Sequence, residues 1–417
     1  MEDEMKAEFY IDNRKRLIEQ IPDDAIVIVH SGHLLYKTGD ETYPFTPNRN
    51  FLYLTGIDRE NIILMITKST QGIKERLFIE NNDPVLSRWV GETLSHEEAT
   101  KLSGITQVQA LELFEKTLHY EITTHQNPQV WMDFQRRGWL ESTTWEQVLS
   151  QSISTKYPHC QVSHIGPLIH MLRRIKHPDE VHLIEKAIAI THLGLTELVT
   201  HCHPGMTEFE MESFFDFILR QNGVTDKAFK TIAACGKNAA ILHYCNNCAV
   251  SGESDLLLLD LGAQWQYYSA DITRTIPVCG RYSPDQSTIY QIVLDTQLAV
   301  IDSIKPGLPF EELNKTARKE LLKGLQTIGK CHTDNDLQEY YYHGVSHYLG
   351  LDTHDVGDRD VLTSGMVITV EPGLYFREEN LGIRIEDDIL VTEKGYQILS
   401  SGIPKTIRDV ENWMKGS

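Results

Sequence analysis

The fold prediction starts from residues 256–275, which read LLLLDLGAQWQYYSADITRT. Residues 256–262 have the pattern of a buried strand that contains Asp260, and residues 268–275 have the pattern of a second strand that contains Asp271. A turn between them would make a hairpin and set the two carboxylates side by side. Aspartate is disfavoured inside strands and costly to bury without a partner. The stretch therefore predicts a hairpin whose carboxylates share a cation, and a metal ion is the natural choice.

Carboxylates at the ends of apolar strands recur further along the chain. Residues 366–371 are an apolar strand that ends in Glu371 before a Pro-Gly break, and residues 382–388 are a strand with alternating polar residues that include Glu386. Just upstream, three histidines fall within twelve residues: His343, His347 and His354. A single carboxylate of this kind would indicate only a solvated strand end. Four of them with histidines nearby favour a metal centre.

The second part of the chain contains a pattern that indicates a duplication. His203-Pro-Gly205 and Lys305-Pro-Gly307 each end one amphipathic helix and begin another. Each unit then runs into a strand-like stretch that carries a histidine, at residues 241–243 and 345–347. Two helix-plus-strand halves related by a pseudo-twofold axis would bring both histidines to one cleft. Chance is the alternative, because Pro-Gly turns before helices are common.

The first part of the chain predicts a separate domain built on a mixed sheet. Turn residues separate four β-rich runs: residues 25–29, 51–55, 62–66 and 76–79. Ser95-His-Glu-Glu98 predicts a capped helix start, and residues 142–149 predict a further helix. A Pro-Asp-Glu start at Pro178 then leads into a long amphipathic helix of different character. We therefore place the domain boundary between residues 167 and 168.

Composition excludes several classes of protein. The chain has 417 residues, 41% of them hydrophobic, and its apolar runs are far shorter than the roughly 20 residues of a membrane helix. With 59 acidic and 39 basic residues its net charge of −20 would repel nucleic acid. Seven scattered cysteines indicate reduced thiols, and the start Met1-Glu-Asp-Glu-Met5 is acidic where an export signal is basic. These features predict a cytoplasmic protein with no membrane span and no nucleic-acid partner.

Five motifs in the second part together resemble the pita-bread metallopeptidase family, and within it the Xaa-Pro aminopeptidases (aminopeptidase P) and the prolidases. The first is residues 241–244, and the second combines Asp260 with residues 271–275. The other three are residues 343–357, 370–375 and 382–387. The first part is similar to the N-terminal domain of that group through residues 43–56 and 88–91. The resemblance implies an α/β (α+β) fold with two domains. A creatinase-like mixed-sheet domain would cover residues 1–167, and a pseudo-twofold pita-bread catalytic domain would cover residues 168–417.

The resemblance also implies a set of site residues. The metal ligands would be Asp260, Asp271, His347, Glu371 and Glu386. Catalysis would involve Glu371 as the proton carrier together with His243, His354 and Arg384, and the substrate would contact His243, His343, His354 and Tyr375. Arg384 lies two positions before Glu386, on the same face of the predicted strand. Four carboxylates and one imidazole suit hard divalent ions, so we expect two ions, foremost Mn²⁺.

The activity implied by the resemblance is that of an Xaa-Pro aminopeptidase. Such an enzyme uses a hydroxide activated by two metal ions to hydrolyse the bond between an N-terminal residue and a following proline. Its partners would be peptides with proline at the second position and further copies of the chain, in a homodimer or homotetramer. Prolidase, which cleaves Xaa-Pro dipeptides, stays open as an alternative. A pita-bread binding protein without catalysis is the third possibility, but such proteins usually lack several ligands, and all five positions are filled here.

Overall fold

The computed structural model describes residues 5–82, 85, 87–91, 93–136 and 138–416. Residues 1–4, on which the export-signal prediction depends, lie outside the described residues. The chain divides into two compact units, Met1–Arg173 and Arg174–Ser417. The domain boundary predicted between residues 167 and 168 lies close to this division and stays a prediction.

The first unit is built on a mixed sheet, as predicted. Its elements are α1 (Ala7–Gln20), β1 (Ala25–His30), α2 (Arg49–Thr55), β2 (Ile63–Ser69), β3 (Gly72–Ile79), α3 (Ser87–Val90), α4 (His96–Ser103), β4 (Gln107–Ala110), α5 (Phe114–Thr124), β5 (Gln129–Met132), α6 (Trp145–Lys156), β6 (Gln161–His164) and α7 (Gly166–Arg174). The strand order is β4-β3-β2-β1-β5-β6. Strand β1 pairs antiparallel with β2 and parallel with β5. Alternate residues of β1, Ile26 and Ile28, pack with Phe114 and Ile122 of α5 in one apolar core.

The prediction of a strand at residues 51–55 is wrong, because these residues form most of α2. The Asn48 side chain caps this helix by accepting hydrogen bonds from the backbone N–H groups of Asn50 (2.8 Å) and Phe51 (3.1 Å). Gly56 ends the helix in the left-handed conformation, with φ of 71°. Every residue from Asn50 to the end of α2 is buried, so the apolar run has no periodicity that separates a helix from a strand. The caps decide the structure here.

The predicted helices of the first unit are present with small shifts of their bounds. Ser95 caps α4 by accepting from the N–H of Glu98 at 3.1 Å. The helix predicted over residues 142–149 begins at Trp145, behind a capping box that Thr144 forms with Gln147. Local capping chemistry therefore sets both starts.

The second unit contains two long helix pairs and several small sheets. Its elements are α8 (Pro178–His201), α9 (Glu208–Gln221), β7 (Ile232–Cys235), β8 (Leu256–Leu261), β9 (Gln264–Trp265), β10 (Tyr268–Ser269), β11 (Ile272–Pro277), α10 (Pro284–Ser303), α11 (Phe310–Thr327), α12 (Asp334–Leu337), β12 (Val367–Val370), β13 (Gly373–Phe376), β14 (Leu381–Arg384), β15 (Asp387–Thr392), β16 (Gly395–Ile398) and α13 (Ile407–Trp413). Two sheets have the orders β11-β8-β7 and β12-β15-β16. Strands β13 and β14 form a separate pair.

The helix pairs agree with the predicted duplication. Helices α8 and α9 are joined through a Pro-Gly turn, and so are α10 and α11. Gly205 and Gly307 occupy equivalent places in the two turns and have nearly the same left-handed φ, 90° and 85°. Each pair is followed along the chain by one of the three-stranded sheets.

The two histidine-bearing stretches of the halves are not regular strands, and this corrects the prediction. Residues 241–243 form a turn directly after the 3-10 helix Gly236–Ala240. Residues 345–347 run beside β12, with the carbonyl of His347 accepting from the N–H of Thr369 at 2.9 Å. The second stretch is extended but pairs too briefly to form a strand. Residues 241–243 are largely exposed, whereas Val345 and Ser346 are buried, so burial does not account for the apolar composition of both stretches.

The predicted hairpin of residues 256–275 is confirmed. Strands β8 and β11 are antiparallel neighbours, and Asp260 lies opposite Thr273, two residues beyond Asp271. A Cβ atom on Gly262 would lie 1.8 Å from the carbonyl oxygen of Ala270, so only glycine fits where the second strand returns. The close approach of the two segments brings Asp260 and Asp271 together.

Two predictions from composition can also be compared with the structure. All seven cysteines are free thiols. None of the helices within the described ranges is long and apolar enough to cross a bilayer.

Candidate metal centre

The second unit brings the predicted ligands together from five places in and beside its sheets. Asp260 lies on β8, Asp271 directly before β11, and Glu371 directly after β12. His347 lies on the extended segment beside β12. The strand predicted over residues 382–388 is in fact β14 and β15, and Glu386 lies in the short break between them. Asp260 projects from within a paired strand, whereas Asp271, Glu371 and Glu386 lie at a strand end or in a break between strands.

Donor atoms of the predicted ligands lie within a few ångströms of one another. One donor atom each of Asp271, His347 and Glu386 lies within 4.8 Å of the others. The Nε2 atom of His347 lies 3.5 Å from Oδ2 of Asp271 and 3.5 Å from Oε1 of Glu371. Spacings of this size leave room for a cation between the donors.

The orientation of the His347 ring is fixed from its other side. Its Nδ1 atom donates to the carbonyl oxygen of Tyr348 at 3.0 Å. This bond assigns the proton to Nδ1 and leaves the lone pair of Nε2 directed at the carboxylates. His347 therefore presents the tautomer that a metal ligand needs.

The carboxylates of the centre are buried close together, so ionising all of them without a cation is unfavourable. Burial raises the pKa of Asp271 well above its usual range, and the charge of Asp260 raises it further. Burial and the charge of Asp271 do the same to the pKa of Glu386. Burial raises the pKa of Glu371 to about 7. Arg384 donates to Oδ2 of Asp260 and offsets part of this negative charge.

Two buried carboxylate oxygens provide a direct test of whether a metal fits. Oδ1 of Asp260 and Oε1 of Glu386 are buried and accept no hydrogen bond from any described residue. The other oxygen of Glu386 accepts from the Thr273 hydroxyl at 2.7 Å. A buried acceptor without a partner costs about 1–3 kcal/mol, and more when it is charged. The two orphaned oxygens and the hard donor set together fit divalent cations.

Thr273 is a residue of the centre that the sequence analysis missed. Its hydroxyl donates to Glu386 and accepts from Nε of Arg384 at 3.2 Å. Two residues on, the Thr275 hydroxyl accepts from the N–H of Arg384 at 3.1 Å. The two-residue spacing from Asp271 places all three side chains on one face of the strand. This two-residue spacing in the sequence was a usable signal for Thr273. Thr273 also links Arg384 to Glu386 across the strand break, because its hydroxyl bonds both side chains.

Asp387 and Asp388 were also missed, and they hold the backbone of the ligands. Asp387 accepts from the buried guanidinium of Arg274 at 2.7 Å, and Arg274 also donates to the carbonyl oxygen of Glu386. Asp388 accepts from the N–H of Asp271 at 3.2 Å. The sequence does not distinguish these two aspartates from a metal ligand, because Glu386, Asp387 and Asp388 are consecutive acidic residues.

A hydrogen-bonded chain connects three more of the predicted residues. Arg384 Nη1 donates to the Tyr375 hydroxyl at 3.0 Å, and that hydroxyl donates to Nε2 of His343 at 2.9 Å. Nδ1 of His343 donates to the carbonyl oxygen of Gly344 at 2.8 Å and lies 3.8 Å from Oε2 of Glu371. Burial, followed by the charge of Arg384, lowers the pKa of His343 to about 4, so the ring is neutral. The chain fixes the direction in which each group donates.

His354 and His243 lie at the open side of the centre. The ring of His354 packs 4.2 Å from the ring of His347, measured between centroids. Burial, His347 and His243 together lower the pKa of His354 to about 4. His243 is exposed in the turn after the 3-10 helix, close enough to affect the pKa of both His343 and His354. The structure thus places every predicted site residue around one centre.

Comparisons with known proteins agree with this geometry. Residues 182–393 match the family model described as metallopeptidase family M24, and residues 10–131 match the model described as the aminopeptidase P N-terminal domain. The chain is 32% identical to the Xaa-Pro aminopeptidase of Haemophilus influenzae, over 98% of each chain. A solved structure from Bacillus anthracis is 45% identical, with 99% of each chain covered and a TM-score of 0.97. Zinc-substituted Escherichia coli aminopeptidase P in complex with product is 28% identical, with 99% of each chain covered and a TM-score of 0.90.

Proposed function

Since the chain belongs to metallopeptidase family M24, we propose that it is an Xaa-Pro aminopeptidase, a metal-dependent exopeptidase that releases an N-terminal residue from a following proline. The cluster of donor side chains supports the proposal, because Asp271, His347 and Glu386 have donor atoms within 4.8 Å of one another, and two nearby buried carboxylate oxygens accept no hydrogen bond from the described residues. A binding protein that had lost catalysis would have no need to keep so unfavourable a cluster of carboxylates. Two relatives that match nearly the whole chain, from Haemophilus influenzae and Escherichia coli, are named Xaa-Pro aminopeptidase.

We propose that the centre takes two divalent ions, with Mn²⁺ preferred. The residues that would hold them are Asp260, Asp271, His347, Glu371 and Glu386. Four carboxylates balance the charge of two divalent ions, and oxygen donors with one imidazole favour Mn²⁺ over thiolate-seeking ions. When bound, such ions polarise the scissile carbonyl and make a water molecule more acidic.

Glu371 is proposed to move the proton of the reaction. An unprotonated amide nitrogen is a very poor leaving group, so proline leaves only after its nitrogen gains a proton. The Glu371 carboxylate lies between His347 and His343, at 3.5 and 3.8 Å, and so faces both the ligands and the substrate side. It would accept a proton from the attacking water and deliver it to the proline nitrogen. Arg384 and Tyr375 would hold His343 and Asp260 in place during this transfer.

His243 and His354 are proposed to donate hydrogen bonds to the oxyanion that develops on the substrate. We expect His243→Ala and His354→Ala each to lower kcat for Ala-Pro-Ala by roughly 10²- to 10³-fold, the usual cost of one such donor. His203→Ala is the control, because His203 is an exposed histidine at a helix turn of the same unit and should leave kcat unchanged. Wild-type kcat in both His243→Ala and His354→Ala would exclude this role.

The enzyme is expected to prefer peptides of three or more residues over dipeptides. A dipeptidase must pair the proline carboxylate with a cation, since an unpaired charge in a desolvated cleft costs several kcal/mol. Arg359 is the basic residue of the loop formed by residues 358–364, and Asp358 and Asp360 flank it. Its guanidinium lies 5.7 Å from the ring centroid of Phe310. The two aspartates therefore partly neutralise Arg359, and its guanidinium packs on Phe310, so it is a poor partner for the proline carboxylate.

The measurement is a comparison of kcat/KM for Ala-Pro-Ala and Ala-Pro under Mn²⁺. We expect the tripeptide to be the better substrate. The prolidase alternative would replace this proposal if Ala-Pro were cleaved faster and Arg359→Ala removed only the dipeptide activity.

Three further proposals extend the resemblance to the whole molecule. We infer an N-terminal domain over residues 1–167 and a catalytic domain over residues 168–417, a homodimeric or homotetrameric assembly, and a cytoplasmic location. The matched family models support the two domains, and the acidic, thiol-bearing composition supports the location. Light scattering on the purified chain measures the assembly directly.

A further inference from the structure

We propose that Glu208 is a positioning residue that sets the conformation of the His243 loop, defined here as residues 236–249. Glu208 touches neither the metal ligands nor the substrate side of the centre, and nothing in the mechanism above uses it. The inference rests on the proposed function, because it gives Glu208 a role only through His243.

Glu208 is a fully buried carboxylate at the start of α9. Its Oε1 atom accepts from the N–H of Cys235 at 2.7 Å and from Nδ2 of Asn238 at 3.0 Å. Its Oε2 atom accepts from the Tyr244 hydroxyl at 2.8 Å and from the N–H of Ala249 at 2.9 Å. Both oxygens are thus satisfied by two donors each, which removes most of the cost of burying the charge.

The four donors come from both sides of His243 in the chain. Cys235 and Asn238 precede it, and Tyr244 and Ala249 follow it. From Tyr244 to Ala249 the loop has neither helix nor strand, so these bonds replace the ladder that would otherwise fix its backbone. The single carboxylate therefore ties the two arms of the loop together.

The His243 side chain depends on the loop for its position. Its imidazole is exposed and accepts or donates no hydrogen bond among the residues that the structure describes. Tyr244, the next residue, is buried and bonded to Glu208. Fixing Tyr244 in the interior leaves the neighbouring His243 on the exposed side of the loop.

A second side chain of α9 anchors the same loop one turn further on. Glu212 accepts from Nδ2 of Asn247 at 2.8 Å, and Asn247 adopts a left-handed φ of 45°. Residues four apart lie on one face of a helix, so Glu208 and Glu212 both face the loop. Glu208 contacts both arms, whereas Glu212 contacts one.

Glutamine cannot replace Glu208 in this arrangement. Each carboxylate oxygen accepts from one backbone N–H, that of Cys235 or that of Ala249. The amide nitrogen of a glutamine would face one of these N–H groups whichever way the side chain turned, and a backbone N–H cannot reverse its role. Glu208→Gln therefore releases one arm of the loop while it keeps the size of the side chain.

The test is a kinetic comparison on Ala-Pro-Ala with Mn²⁺ bound. We expect Glu208→Gln to lower kcat by about 10- to 100-fold, the effect of displacing a reacting group by a fraction of an ångström to an ångström. KM and the number of bound ions per chain should stay at wild-type values. Glu210→Gln is the matched control, because Glu210 lies in the same first turn of α9 but is exposed and bonds only the cap residue Thr207. It should keep wild-type kcat.

A double mutant separates positioning from a general structural effect. If Glu208 acts through His243, adding Glu208→Gln to His243→Ala lowers kcat no further. A loss of the same factor in both backgrounds would overturn the inference, and so would a His243→Ala protein with wild-type kcat. Tyr244→Phe deletes one of the four donors and is the milder variant should Glu208→Gln not fold. It should give a smaller loss that is likewise absent in the His243→Ala background, and an additive loss would overturn the inference.

The outcomes distinguish this inference from the proposed function. A wild-type protein that does not cleave Ala-Pro-Ala would overturn the proposed function and the inference together. An active wild-type protein with additive losses would overturn the inference alone.

Discussion

Replacement of Glu371 by glutamine is expected to lower kcat for Ala-Pro-Ala by roughly 10³- to 10⁴-fold, toward the upper end of what one proton-transferring side chain contributes. Glutamine keeps the shape of the side chain and one donor oxygen, but it cannot take up or release the proton. The Glu371 carboxylate lies 3.5 Å from His347 and 3.8 Å from His343. Among the described residues, no other carboxylate lies within 4 Å of both histidines.

The measurement combines kcat with metal analysis of the same sample. The matched control is Glu378→Gln, because Glu378 is an exposed carboxylate a few residues further along the chain. That variant should retain wild-type kcat. A Glu371→Gln protein with wild-type kcat and normal metal content would show that the proton travels by another route.

Removal of divalent metal is expected to abolish turnover and to lower the melting temperature. The centre gathers Asp260, Asp271, Glu371 and Glu386, and two of their buried oxygens have no partner. An ion that binds only the folded chain stabilises it by about 4 kcal/mol at a concentration a thousandfold above its Kd. We expect added Mn²⁺ to restore activity better than Mg²⁺ or Zn²⁺, and to restore the melting temperature with it.

Differential scanning calorimetry with and without chelator checks this expectation independently of activity. Asp271→Asn should lose the Mn²⁺-dependent shift in melting temperature, because it removes a ligand charge. Asp358→Asn, which changes an exposed aspartate of the same unit, should keep the shift. Full activity in a metal-stripped sample would contradict the proposed chemistry.

The hairpin and the ligand set could be predicted because several independent signals agree in the sequence. Asp260 interrupts an apolar strand, Gly262 follows it, and Asp271 begins the return strand. Burial of charge in such a place is costly enough that it demands a partner. The resemblance to a known family supplied the histidine and glutamate candidates in addition, and the geometry of the second unit brings donor atoms of Asp271, His347 and Glu386 within 4.8 Å of one another.

Local structure was harder to predict where propensity and capping disagree. Residues 51–55 are aromatic and apolar, yet Asn48 and Gly56 cap them as a helix. The strand predictions for the two histidine-bearing stretches were wrong for another reason. Backbone bonds to β12 keep residues 345–347 extended, whereas the arms of the His243 loop are held by Glu208, a residue distant in sequence. Contacts between distant residues leave no local pattern, which is why the support from Arg274 and Glu208 emerged only from the structure.

The proposed metal ligands are divided between the two halves of the duplicated fold. Asp260 and Asp271 follow the first helix pair, and His347, Glu371 and Glu386 follow the second. A bound ion is therefore a cross-link between the halves, and its loss lets them open more often. Proteases in the cell cut chains while they are open, so the lifetime of the protein would follow the open population. In a cell short of the divalent metal the enzyme would accordingly be both inactive and short-lived, and its abundance would follow the metal supply.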